Sequence, residues 1–194
     1  LLAGLVIYYV APEAKGHGVP EVMEAMHLHG GKMRWRVIGA KALASALTIG
    51  SGGSSGREGP IVHMSSALGS SVGRSLGLTT YHVKILVGCG AAGAISATFN
   101  TPLAGILFAM ELILPEVRTR SFIPVVISSV FANVTSWSIL SYLGIDEVFV
   151  FGSAGGSHAL QFQFHSPLEM IFYMALGLLA GLVAILYIRW LYSL

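Results

Sequence analysis

Glu58 is a carboxylate surrounded by apolar sequence, where a charge is costly enough to suggest a function. It lies in Gly50–Pro60, which reads Gly-Ser-Gly-Gly-Ser-Ser-Gly-Arg-Glu-Gly-Pro. The glycines and serines disfavour a continuous helix, and Pro60 suits the first turn of a new one. We therefore predict a membrane helix that breaks at Gly50–Gly56 and restarts near Glu58. The unpaired N–H groups at such a start attract an anion, either the Glu58 carboxylate or a dissolved ion.

A second stretch has the same pattern of glycines, one polar side chain and a proline. It reads Gly16-His17-Gly18-Val19-Pro20 and precedes a short amphipathic segment, Glu21–Leu28. Broken helices whose starts meet near the middle of a membrane allow transporters to bind anions without a buried fixed cation. Glycine and proline are also common in ordinary membrane helices. The repeated pattern, with Glu58 in one copy, favours the functional interpretation.

The composition indicates an all-α membrane protein. Of the 194 residues, 54% are hydrophobic and only 10% are charged. Formal charges are absent between Lys84 and Glu111, between Arg120 and Asp146, and between Glu169 and Arg189. Each of these gaps is long enough for a helix to cross a hydrocarbon layer of about 30 Å. The net charge of +2 gives no basic surface for nucleic acid, so we predict no such partner.

The elements that must position these residues follow from the apolar stretches and their interruptions. The predicted helices are Leu1–Ala11, Glu21–Leu28, Val37–Ile49, Ile61–Val72, Ile85–Thr98, Pro102–Leu114, Ser121–Leu143 and a last helix opened by Pro167. Arg74–Lys84 and Asp146–His165 are predicted connections, and Arg118 and Arg120 interfacial anchors. Small residues four apart predict close helix packing in two rows. The rows are Ala42, Ala46 and Gly50, and Ser65, Gly69 and Gly73.

Four ordered motifs resemble the CLC family of chloride channels and chloride/proton antiporters. Gly56–Pro60 matches the family's G-[KR]-E-G-P motif at every position, and Gly16–Pro20 matches G-S-G-I-P except at His17 and Val19. The runs Ala11–Gly16 and Phe99–Phe108 are similar to the family in the expected order. The resemblance covers most of the chain to about Leu114 and is looser beyond it.

The resemblance implies a role for each matching residue. Glu58 would be the gating glutamate, whose carboxylate competes with the permeating anion and moves aside when it is protonated. The backbone N–H groups around Arg57 and Gly59, and those of Gly18 and Val19, would line the anion path. Chloride would be the substrate, no cofactor or metal would be needed, and the chain would not be an enzyme.

His17 departs from the family pattern, which usually has an anion-coordinating serine at this position. An imidazole can donate a hydrogen bond, and when protonated it would add a positive charge beside the anion. A histidine packed as a helix cap, facing away from the pore, is an equal alternative. Fluoride or nitrate is accordingly an alternative substrate.

Leu112 is the second departure, because antiporters of the family usually carry a proton-relay glutamate there, directly after another glutamate. Glu111 matches that preceding glutamate, whereas leucine cannot take a proton. The resemblance therefore favours a channel or an uncoupled carrier over a chloride/proton antiporter. Glu111 is the alternative member of a proton pathway with Glu58, although one residue turns a helical side chain by roughly 100°.

Two other classes of protein compete with anion transport. An intramembrane serine protease is suggested by Gly53-Ser54-Ser55-Gly56, which fits G-x-S-G at a helix start. Such an enzyme needs a base near the serine, commonly a histidine on a later membrane helix, and no histidine occurs from Ile85 to Ser157. An inactive membrane scaffold is the third possibility. His27 and His29 are two apart and lie on different helix faces, which argues against a metal site, and His63 is predicted to be a packed core residue.

The chain resembles only part of the CLC fold, because complete members have two inverted repeats. The second repeat supplies a G-x-F-x-P motif, and no Gly-x-Phe-x-Pro occurs here. We predict that residues 1–194 form about the first repeat and the start of the second. They would be part of one transmembrane domain, an incomplete bundle of tilted and broken helices with no soluble domain.

The resemblance also implies the setting of the whole protein. We predict a multi-pass protein in the lipid bilayer of the plasma membrane, present as a homodimer. By resemblance, the dimer surface would include Pro102–Leu114 and Ser121–Leu143.

Overall fold

The chain forms helices and, within the ranges that the computed structural model describes (residues 2–114, 119–144 and 169–193), no strand. The helices are α1 (Leu2–Val10), α2 (Val19–Leu28), α3 (Arg36–Gly50), α4 (Glu58–Ser75), α5 (Thr80–Phe99), α6 (Pro102–Phe108), α7 (Thr119–Tyr142) and α8 (Glu169–Tyr192). A 3-10 turn at Pro12–Ala14 follows α1, and a π-helical turn at Ala109–Ile113 continues α6. The predicted all-α fold is confirmed.

Both predicted helix breaks are present. Helix α3 ends at Gly50 and α4 begins at Glu58, so the glycine and serine residues between them lie outside any helix. Helix α2 begins at Val19, directly after Gly16 and Gly18, whose φ angles are +103° and +113°. Residues other than glycine rarely adopt such φ angles, which explains why glycine occupies positions 16 and 18. The sequence therefore locates both helix starts correctly.

Helix α5 differs from the prediction because it begins at Thr80 and not at Ile85. Its first three residues, Thr80 to His82, are exposed, and the Thr79 Oγ1 and His82 Nδ1 atoms form a hydrogen bond of 2.8 Å there. Apolar sequence marks the buried part of a helix, so an exposed polar first turn is missed. The π-helical turn was also not predicted, and in it the Leu114 N–H donates to the Ala109 carbonyl at 2.9 Å.

The predicted close packing through the small residues of α4 is confirmed, and the neighbour is α5. The predicted packing through the small-residue row of α3 was wrong. A Cβ atom at Gly69 would overlap the Leu86 carbonyl, and one at Gly90 would overlap the Ser65 carbonyl. On α3 the predicted row, Ala42, Ala46 and Gly50, is exposed. The face of α3 that is buried instead carries Val37, Ala40, Lys41 and Ala44. Two faces of this helix are rich in small residues, so size alone does not identify the buried one.

Serine side chains join α5, α6 and α7. Ser96 Oγ donates to the Ser129 carbonyl at 2.8 Å, and Ser129 Oγ donates to the Pro102 carbonyl at 2.7 Å. Ser128 Oγ donates to the Cys89 carbonyl at 2.9 Å. Within an apolar core these bonds satisfy hydroxyl groups that would otherwise be costly to bury. The buried, free Cys89 lies in this region.

The chain divides into two compact units, Leu1–Gly156 and Ser157–Leu194. Helices α1 to α7 belong to the first unit and α8 to the second. Within the described ranges, three helices, α5, α7 and α8, are long and apolar enough to cross a membrane. The predictions for Arg118, 146–165 and Pro167 lie outside the described residues.

Candidate functional site

The starts of α2 and α4 meet backbone to backbone. A Cβ atom at Gly18 would overlap the Gly59 carbonyl, and one at Gly59 would overlap the His17 carbonyl. Only glycine permits this approach at both positions. The two stretches with the same glycine and proline pattern, 40 residues apart in the chain, therefore form one site.

A cavity of about 370 Å³ lies at this junction, and we call it the Glu58 cavity. Its lining residues are Ile7, Gly16, His17, Lys41, Ala44, Ser45, Thr48, Ser54, Ser55, Gly56, Glu58, Gly59 and Pro60. The lining joins residues of both helix starts to one face of α3. Seven of the thirteen lining residues have polar side chains, in a part of the chain whose neighbouring helices are apolar.

Glu58 is half-buried in the first turn of α4. Its carboxylate folds back on its own loop, because a Cβ atom at Gly56 would overlap the Glu58 Oε2 atom. The amides of Ser54, Ser55, Gly56 and Arg57 donate no hydrogen bond to any described residue. The site thus has free N–H donors next to a carboxylate that makes no hydrogen bond with the described residues. This arrangement suits a bound anion that competes with Glu58.

Lys41 is a cation in the Glu58 cavity that our sequence reasoning missed. The residue is only 4% exposed, and its ammonium Nζ donates to the Ala14 carbonyl at 2.8 Å and to the Gly16 carbonyl at 2.7 Å. It is the single formal charge between Arg36 and Arg57. Lys41, like Glu58, is an isolated charge in apolar sequence, so the same signal marks both residues.

Hydroxyl groups supply most of the remaining polar lining. Ser45 Oγ donates to the Lys41 carbonyl at 2.7 Å, and Thr48 Oγ1 donates to the Ala44 carbonyl at 2.8 Å. Their protons are used within α3, so these two oxygens face the cavity as acceptors. Ser54 and Ser55 keep their hydroxyl protons available, because neither donates a hydrogen bond within the described chain.

A second cavity of about 750 Å³ lies on the other side of Gly16, and we call it the Glu21 cavity. Glu21 and His63 line it together with Gly16. The Gly18 N–H donates to Glu21 Oε2 at 2.6 Å. His63 is 2% exposed, as its predicted core position requires, and its Nδ1 atom has no hydrogen-bond partner within the described chain. An ion pair of 3.0 Å joins Arg34 and Glu13, which also line this cavity.

The structure brings only some of the predicted site residues together. His17, Glu58 and Gly59 line the Glu58 cavity, whereas Gly18, Val19 and Arg57 are their chain neighbours and do not line it. Glu111 lies exposed on the π-helical turn and lines neither of these two cavities.

Neither a serine protease site nor a metal site finds much geometric support in the described part of the chain. His17 lines the same cavity as Ser54 and Ser55, but no hydrogen bond joins a serine to it there. Within the same residues, no group of three or more His, Cys, Asp or Glu side chains could hold a metal ion. His27 instead places Nδ1 2.8 Å from the Met23 carbonyl on an exposed face.

The fold and site define a helical membrane protein in which two interrupted helices meet at a polar cavity. A family model described as "Voltage gated chloride channel" matches residues 1–194. The chain therefore belongs to the CLC family of chloride channels and chloride/proton antiporters.

Individual relatives fall into two groups by name. A putative chloride channel protein, ClcB-like, from Ralstonia nicotianae is 31% identical over 187 residues, which cover 94% of this chain and 41% of the relative. The H(+)/Cl(-) exchange transporter ClcA of Vibrio vulnificus is 40% identical over 136 residues, covering 66% of this chain and 28% of the relative. The H(+)/Cl(-) exchange transporter ClcA of Vibrio parahaemolyticus is 32% identical over 193 residues, which cover 93% of this chain and 37% of the relative. The chain thus spans less than half the length of these relatives.

Proposed function

We propose that this chain is part of a chloride transporter of the plasma membrane, in which the carboxylate of Glu58 gates the anion path. The observation that carries the proposal is the meeting of two helix starts at one cavity, with Glu58 and His17 both in its lining. Helix N-termini offer backbone donors and a positive dipole end to an anion. Family membership adds chloride as the ion of choice.

The mechanism uses competition between two anions for the same donors. With Glu58 ionised, its carboxylate lies against the Gly56 loop and near the free amides of Ser54 to Arg57. Protonation removes the negative charge, so the side chain loses its attraction to these donors and chloride can take its place. His17 and the hydroxyls of Ser54 and Ser55 are further donors along the same cavity.

An uncoupled transporter is the version that we propose, with chloride/proton exchange as the second candidate. Leu112 stands where antiporters of the family usually carry their relay glutamate, and leucine binds no proton. Exchange is favoured by the relatives that are named H(+)/Cl(-) exchange transporters. In that case Glu111 would be the alternative proton carrier. Its position outside the two described cavities argues for the uncoupled version.

The Glu58→Gln variant of the complete protein tests the gate. Gln has the shape of a protonated Glu, so we expect chloride flux into liposomes to continue and its dependence on pH to disappear. Glu24→Gln is the matched control, because Glu24 is exposed on α2 and lies outside the Glu58 cavity. Flux that keeps the wild-type pH dependence in Glu58→Gln would exclude the gating role.

A further inference from the structure

The loop from Gly16 to Gly18 is held from its two sides by opposite charges. The Lys41 ammonium binds carbonyl groups at the start of this loop, those of Ala14 and Gly16. The Glu21 carboxylate accepts from the Gly18 N–H at 2.6 Å. It also packs against Gly16, where a Cβ atom would overlap Glu21 Oε1. Each charge therefore binds the backbone group of opposite polarity.

These two charges face different cavities. Lys41 lines the Glu58 cavity, and Glu21 lines the Glu21 cavity. Gly16 lines both, so the loop is the wall between them. No ion pair joins Lys41 to Glu21 among the described residues, yet the two interact electrostatically across the loop. Lys41, which lines the Glu58 cavity, would attract an anion there. Glu21, on the far side of the loop, would repel the same anion.

Solvent screens the charges of Lys41 and Glu21 only weakly. Lys41 is 4% exposed and Glu21 is half-buried. Coulomb energies that are small in water become several times larger at the lower effective dielectric constant of a protein interior. The two charges cancel formally, so this pair leaves the competition between Glu58 and an anion for the backbone donors nearly unbiased, and loss of either charge must change the affinity for an anion.

We propose that Glu21 sets the anion affinity of the Glu58 cavity by balancing the charge of Lys41 across the Gly16–Gly18 loop. This inference rests on the proposed function, since it requires that chloride binds in the cavity. Glu21 acts as a positioning and affinity-setting residue and does not itself touch the ion. The balance keeps binding weak enough for an anion to leave, as transport requires.

The test is chloride binding by isothermal titration calorimetry to the purified complete protein. Glu21→Gln keeps an acceptor for the Gly18 N–H but removes the charge, and we expect chloride to bind about tenfold more tightly. Lys41→Met leaves the carboxylate unbalanced and should weaken binding by about tenfold. The double variant should return to within roughly threefold of wild type, because the two effects oppose each other. Glu24 also lines the Glu21 cavity, but it is exposed and does not contact the Gly16–Gly18 loop, so Glu24→Gln should bind chloride as wild type does.

A purely structural cap gives a different result. If Glu21 only held the loop in place, Glu21→Gln would leave chloride affinity unchanged or lower it, and either outcome overturns the proposal. Lys41→Met leaves two carbonyls without a donor. If that variant does not fold, the Glu21→Gln measurement alone decides between the affinity-setting and the purely structural role of Glu21. A wild-type protein that binds no chloride would overturn the proposed function as well. Chloride binding in wild type without tightening in Glu21→Gln overturns this inference only.

Discussion

His17 is the residue whose chemistry most distinguishes this site from the usual family pattern. Its side chain is exposed, lines the Glu58 cavity and makes no hydrogen bond with the described residues. The two interpretations left by the sequence were an anion ligand and a cap facing away from the site. Its position in the cavity lining supports the first interpretation, and we propose that His17 is an anion ligand.

Replacing His17 with Ser should change the selectivity among chloride, nitrate and fluoride. A hydroxyl is smaller than an imidazole and cannot carry a positive charge, so its hydrogen bond to each anion differs in length and strength. Hydrogen bonds to charged groups contribute about 1.5–3 kcal/mol, and we therefore expect flux ratios to shift by roughly threefold or more. Anion-selective flux assays in liposomes measure these ratios. His27→Ser is the control because His27 is exposed outside the cavity; equal ratios in His17→Ser and wild type would contradict the ligand role.

Single residues of the site could be predicted from the sequence only where they broke a local pattern. Glu58 stood out as a charge between apolar stretches, and Gly16, Gly18 and Gly59 followed from the motif. Glu21 did not stand out, because a glutamate in the first turn of an amphipathic helix is ordinary. Its contact with the Gly18 N–H is local, three residues back at the start of the same helix. Its place opposite Lys41 depends on how α3 packs, which no local pattern contains.

Helix α4 does more than carry Glu58 at its start, because its other end holds the connection between α2 and α3 in place. Near its other end, Ser70 Oγ donates to the Gly31 carbonyl at 2.7 Å and accepts from the Met33 N–H at 2.9 Å. Arg74 Nη1 donates to the Met33 carbonyl at 3.0 Å. Ser70 and Met33 are both buried. These bonds fix the connection between α2 and α3, and so the relative placement of the two helices that hold Glu21 and Lys41.

Replacing Ser70 with Ala should destabilise the protein. The Met33 N–H and the Gly31 carbonyl would lose a buried partner, and each unsatisfied group of this kind costs about 1–3 kcal/mol. We expect a lower thermal unfolding temperature in detergent, with chloride flux retained below that temperature. Ser75→Ala is the matched control, since Ser75 is exposed on the same helix and bonds only to the Val72 carbonyl of its own last turn. Equal unfolding temperatures for the two variants would refute the structural role of Ser70.

Helix existence was more predictable than helix detail. The glycine and proline signals at Gly16–Pro20 and Gly50–Pro60 gave both breaks, because backbone freedom and a missing N–H act locally. The first turn of α5 and the π-helical turn at Ala109–Ile113 were missed. A polar exposed turn has no apolar pattern. A π-helical turn is rare and occurs mostly as a single turn within an α-helix, so a helical pattern alone does not predict it.

At the scale of the whole molecule, the chain is less than half as long as the relatives that it matches. We propose that it forms part of one transmembrane domain, completed by an inverted second repeat, within a homodimer. Several large apolar side chains of α7 are exposed in this chain, among them Phe122, Ile127 and Phe131. Their exposure is compatible with the proposed dimer surface along Ser121–Leu143.

The complete protein should not couple chloride movement to protons. Coupling needs a second group that binds a proton on the far side of the gate, and Leu112 at the relay position cannot do so. In liposomes with a chloride gradient, we expect proton uptake at the level of empty vesicles, while chloride flux proceeds. An exchange transporter of the family serves as the positive control under the same conditions. Proton movement in a fixed ratio to chloride would show that another group replaces the missing glutamate. Glu111→Gln would then reveal whether that group is Glu111, because loss of proton movement with retained chloride flux would assign it.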